Sequence, residues 1–171
     1  MMDFKDIVQR RRSIRQFTDE PVTDDQLKTI LRAALMAPTG HSKRAWQFFV
    51  VKDKEQLGIL SQCKEAGGEF LSKAAVAVVV AYDAEASDVW IEDAAIAAVT
   101  MQYQATELGL GSCWSQIRCR KDNQGVDATE NIRKQLGLEP QLQVLCIIGF
   151  GHPAIERKLQ DESRLSWNAV R

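Results

Sequence analysis

The sequence predicts an α+β fold in which helices cover both faces of one mixed sheet, and three observations carry that expectation. The stretch Ala74 to Tyr82 (A-A-V-A-V-V-V-A-Y) is apolar throughout, whereas a strand buried on one face alone would alternate with period two. Helical periodicity recurs in four or five separate segments, and three further short apolar runs read as strands. Their order is neither strict strand-helix alternation nor a run of strands, so the helices pack on both sides of one mixed sheet.

The elements follow in order. Phe4, Ile7 and Val8 fall at helical spacing over residues 3–11, a short amphipathic helix that gives way to a turn at the arginines. Thr23 and Gln26 form a capping box. Leu27, Ile30, Leu31, Ala34 and Leu35 then share one face until Pro38 and Gly40 stop the helix. Residues 47–52 read as a strand, and Asp53 with Gln56 caps a helix running to about Cys63, closed by Gly67-Gly68. After the central strand 74–82, residues 89–108 form a long helix rich in alanine. Small helix-forming side chains permit close approach of another helix, so this one is expected to be buried nearly all round. Leu108-G-L-Gly111 ends it, Ser112 to Ile117 reads as a short strand, and 118–125 as a surface loop. Asp127 with Glu130 starts a last helix to Leu136, and Leu142 to Phe150 gives another buried strand.

With 171 residues, 45% hydrophobic and 26% charged, the chain 1–171 is expected to be a single domain with one sizeable core. No apolar run approaches the ~20 residues of a membrane span, and the start M-M-D-F-K-D is unlike a charged-then-apolar leader, so a cytoplasmic protein is expected. Cys63, Cys113, Cys119 and Cys146 form no C-x-x-C pair and suit reduced thiols. His41 and His152 are the only histidines, which nearly closes the usual zinc and Ser-His-Asp routes.

Four segments could carry chemistry. Arg10-R-R-S-I-Arg15 sets four arginines in six residues of a chain with net charge −1. Guanidinium forks, a hydroxyl and backbone N–H groups at a turn make a phosphate receptor. A solvated basic face, or an arm for nucleic acid, would use the same residue types. Pro38-T-G-H-S-K-R-A-Trp46 is a polar loop between a capped helix and a strand, the kind of place where binding groups sit. Gly109-L-G-S-C-W-S-Q-Ile117 follows a helix rather than a strand, so its G-x-G is no dinucleotide fingerprint. Gly149-F-G-H-Pro153 ends the last strand, and Arg157 and Lys158 after it could either join the arginines or keep the tail soluble.

Taken together and in this order, these segments resemble the nitroreductase family of flavoproteins over almost the whole chain. The motifs are Arg11-R-S-I-R-Q-Phe17, Pro38-T-G-H-S-K-R-A-Trp46, Trp90-I-E-Asp93, Leu108-G-L-G-S-C-Trp114, and Gly151-H-Pro153 with Arg157. The resemblance implies a mixed, largely antiparallel sheet in a homodimer that holds FMN at its interface. It implies that NAD(P)H reduces the flavin at N5 and that a nitroaromatic, quinone or similar acceptor reoxidises it, in ping-pong order, with no catalytic side chain required. Specialised flavin chemistry, such as flavin breakdown or reductive dehalogenation, and a non-catalytic flavin binder are the alternatives. By the same resemblance Arg11, Arg12, Ser13 and Arg15 hold the FMN phosphate, and Arg157 approaches it from the carboxy-terminal side. Trp114, Ser115 and Gln116 lie against the ring, a backbone N–H meeting N5, and the partner's loop brings Ser42 and Arg44 to the pyrimidine edge. The loop departs from the family pattern: Ser42 stands where the family has Asn, Arg44 where it has Gln, and Ala45 where it has Pro. Ser42 reaches less far than an amide, and a cation at Arg44 would favour an anionic reduced flavin.

Overall fold

A computed structural model describes residues 2–171 of the chain. Five α-helices and four strands alternate irregularly along it: α1 (Phe4–Arg10), α2 (Asp24–Leu35), β1 (Trp46–Val51), α3 (Lys54–Leu60), β2 (Val76–Asp83), α4 (Trp90–Glu107), β3 (Gly111–Gln116), α5 (Ala128–Leu136) and β4 (Leu142–Gly151). The expected capping box is formed, Thr23 and Gln26 each bonding the other's backbone N–H. At α5 the cap is simpler. Asp127 accepts from Thr129 N–H, while Glu130 pairs with Arg133 on the next turn instead of reaching back. Helix α3 stops at Leu60, short of Cys63, and a single-turn helix at Glu69–Lys73 follows the two glycines.

The sheet runs in the order β1-β2-β4-β3, and every ladder in it is antiparallel. Its parallel component is one bridge, Ser13 to Ser112, which attaches the arginine segment to the outer edge of β3. Strand β2 is apolar on both faces because both faces are covered. Val76, Val78, Val80 and Tyr82 pack with α2 and α4, while Ala77, Val79 and Ala81 pack with α3 and α5. Each fully buried valine of that strand contributes roughly 1.5–3 kcal/mol of transfer free energy. Strand β4 serves both layers by a bulge. The register with β2 slips between Val80 and Ala81, and the displaced Leu145 carbonyl accepts from Ile117 and Arg118.

Helix α4 is covered on one side only. Ala94, Ala97, Ala98, Met101 and Ala105 are buried, while Ile96 is exposed and Ile91, Ala95, Val99 and Tyr103 are half-buried on the other side. The expected all-round burial therefore does not arise within one chain: the helix's outer side is an open apolar face. After Pro153 the tail is exposed throughout. Gln160 straps it to α1 through bonds with Gln9, Val8 and Arg11, and Leu165, Trp167 and Val170 stand open beyond. Among the described residues no helix is long and apolar enough to cross a membrane.

Candidate active site

The arginine segment leaves α1 in an extended conformation, Arg11 having φ −58° and ψ 118°. Extended backbone sends successive side chains to opposite sides. Arg11, Ser13 and Arg15 act on the Cys113 thiol, which sits on the α3/α5 side of β3, together with Lys64. Arg12 and Ile14 go the other way. Arg12 donates to the Lys158 carbonyl, and both line a cavity of about 700 Å³ with Arg10, Leu110 and Arg157. Arg157 thus lies with Arg12, on the other side of the segment from Arg11, Ser13 and Arg15.

The segment can approach β3 this closely because residue 111 is glycine. A Cβ there would lie 2.8 Å from the Ile14 side chain. Ile14 N–H donates to the Ser112 carbonyl at 2.9 Å, which fixes the direction of every backbone group on the strand. If Ser112 points its backbone groups away from β4, then so do Trp114 and Gln116, its neighbours at period two. Beyond the Ser13 bridge no strand pairs with that edge among the described residues. A row of backbone groups at Trp114 and Gln116 that no strand pairs therefore continues from the cationic end, the Trp114 carbonyl accepting from the Cys113 thiol at 3.7 Å.

The side chains here are held in place. Trp114 Nε1 donates to Gln116 Oε1 at 2.9 Å, and Gln116 Nε2 donates to the Arg118 carbonyl at 3.0 Å. Ser115 is fully buried on the opposite side and bonds the Gly67 carbonyl at 3.5 Å, so its side chain ties in the 63–69 loop rather than facing the open edge. Burial pushes the Cys113 thiol above its ordinary pKa against the lowering effect of Arg15 and Ser13, so it stays a neutral thiol.

Ser42 and Arg44 are elsewhere. Their loop leads into β1, the opposite edge of the sheet from β3. Three strand spacings separate the two edges, roughly 14 Å, and one chain does not bring them together. The loop is unusual in itself: His41, Ser42 and Arg44 all have φ between 50° and 56°. Non-glycine residues rarely adopt that region, and three within four positions need external support. Asp93 supplies it. Its carboxylate, 3% exposed, accepts from Gly40 N–H at 2.8 Å and from the Tyr82 hydroxyl at 2.8 Å. Burial and that bond push the Tyr82 phenol above its usual pKa, so it remains the donor. The W-x-x-D spacing placed Asp93 at a helix start and gave no hint of this anchoring. Arg44 itself is exposed and lines an apolar cavity of about 600 Å³ with Leu31, Leu35, Trp46 and Phe48.

The nitroreductase family profile matches residues 8–67 and 58–152, and the chain belongs to that family. It is similar to an FMN-dependent nitroreductase of Clostridium difficile R20291, with 45% identity over 96% of each chain and a TM-score of 0.94. A nitroreductase of Desulfovibrio desulfuricans, provisionally so named and solved in complex with FMN, is 26% identical over 99% of this chain and 96% of its own, with a TM-score of 0.80. An Archaeoglobus fulgidus protein, provisionally named an NADH dehydrogenase/NAD(P)H nitroreductase, is 30% identical over 88% of this chain and 86% of its own.

Proposed function

We propose that the chain is an FMN-dependent NAD(P)H oxidoreductase, one domain over residues 1–171, working as a cytoplasmic homodimer. It passes reducing equivalents to a nitroaromatic, quinone or similar acceptor by a ping-pong mechanism. The observation that carries this reading is the continuity between a cationic end, at Arg11, Ser13 and Arg15, and the open backbone edge at Trp114 and Gln116. FMN has the matching chemistry: a phosphomonoester at one end and a flat ring with donors and acceptors along its rim at the other. Arg11, Ser13 and Arg15 would bind the phosphate through charge-assisted bonds, and the Trp114 and Gln116 backbone groups would orient the ring. Bound there, FMN supplies the hydride chemistry, and the protein supplies position and electrostatics.

The two edges of the site point to two chains. Ser42 and Arg44 reach a ring on β3 only from a second copy, and their strained loop is held ready by Asp93. The open apolar side of α4, the exposed Phe4 on α1 and the tail with Leu165, Trp167 and Val170 offer that copy a surface. A symmetric dimer uses such a patch twice. Steady-state kinetics at several fixed acceptor concentrations test the mechanism: parallel double-reciprocal lines are expected, and converging lines would exclude ping-pong order.

A further inference from the structure

Lys64 was part of no motif, yet it is 8% exposed, far more buried than lysines usually are. Among the described residues its ammonium has neither a hydrogen bond nor a carboxylate oxygen within 4 Å. The nearby acid, Glu69, is turned to its own loop and accepts from Gly67 N–H. Around Lys64 stand Cys63, Cys113 and Arg120, and Cys113 is the same thiol on which Arg11, Ser13 and Arg15 converge. The loop folds back over the lysine, its Nζ lying 3.6 Å from the position a Cβ would take at Gly67, and Ser115 fastens that loop to β3. The stem of Lys64 is buried while its ammonium reaches the surface, unpaired and beside other cations. A charge placed there attracts an anion.

We propose that Lys64 is an anion ligand which, with Arg11, Ser13 and Arg15, receives a phosphomonoester on the α3/α5 side of β3. The assignment deepens the flavin reading and rests on it for the identity of that phosphomonoester, the phosphate of FMN. Substituting Lys64 should therefore discriminate between FMN and riboflavin, which share the ring and differ by the phosphate.

The test uses the apoprotein, with Lys64→Met and Lys64→Arg beside the wild type, titrated with FMN and with riboflavin by fluorescence quenching. Thermal unfolding is followed in parallel with inorganic phosphate. Lys64→Met should weaken FMN about tenfold or more, leave riboflavin unchanged and reduce the stabilisation by phosphate, while Lys64→Arg restores much of the FMN affinity. Unchanged FMN affinity in Lys64→Met, or equal losses of FMN and riboflavin, would overturn the assignment while leaving the flavin reading intact. If the wild type binds neither flavin but phosphate stabilises it more than Lys64→Met, the flavin reading fails and the anion ligand stands.

Discussion

Arg11 and Arg12 are neighbours whose side chains leave an extended backbone in opposite directions, so the same substitution should have unequal effects. Arg11→Ala removes a charge-assisted contact from the cationic end and is expected to cost roughly 1.5–3 kcal/mol of FMN binding. Arg12→Ala loses the bond to the Lys158 carbonyl, and its screened charge should change FMN binding by only about 0.5 kcal/mol. Isothermal titration of both apoproteins checks the ratio. Lys64 adds a pH dependence. Burial, opposed by Cys63, Glu69 and Cys113 and aided by Arg120, holds its pKa below the ordinary lysine value. The charged form binds the anion, so FMN affinity should be full below that lowered pKa. It should fall as pH rises through that lowered pKa, before a free lysine near ~10.4 would titrate. In Lys64→Arg the alkaline loss should vanish, because a guanidinium does not deprotonate there. The arginines were legible in the sequence because four in six residues need an explanation. Lys64 was not, because only the fold back of the 63–69 loop sets a lone lysine beside Cys113.

Among the elements, the 39–44 loop depends most on support from outside itself. Gly40 is packed so closely that a Cβ would lie 2.5 Å from Val89 Cγ2. Gly40→Ala should therefore destabilise the protein by about 1–3 kcal/mol and misplace Ser42 and Arg44. Tyr82→Phe is milder, near ~1 kcal/mol, since Asp93 keeps its bond to Gly40. Denaturant melts of the two variants measure both. The helices were readable from caps and periodicity, and β2 from its unbroken apolar run. What escaped the sequence were features made by contacts distant along the chain: Asp93 spans 53 residues to hold Gly40. The Leu145 bulge escaped for another reason, since a slip of register leaves an apolar run apolar. Even α4 was half legible: its alanines identified a close-packed face, but the expected burial all round does not arise within one chain.

At the scale of the whole molecule, the sheet order places the cationic end and the strained loop on opposite edges, and the proposed site would take one edge from each of two chains. The tail beyond Gln160 makes few contacts with its own chain and carries Trp167, which is 72% exposed. Removal of residues 161–171 should therefore weaken the dimer, and the loss of its flavin should follow, as read by sedimentation equilibrium and by the bound-FMN ratio. A truncated chain that remains a fully loaded dimer would place the contact on α1 and α4 instead. Whether the β3 edge holds FMN for NAD(P)H-driven reduction is read from the visible spectrum of the purified protein, supplied with FMN and then treated with NADH or NADPH under argon. Flavin absorption is expected to stay with the protein through a desalting column, to bleach on adding the nucleotide and to return with air or a quinone. A colourless protein that takes up no FMN, or a bound flavin that neither nucleotide bleaches, would contradict that role.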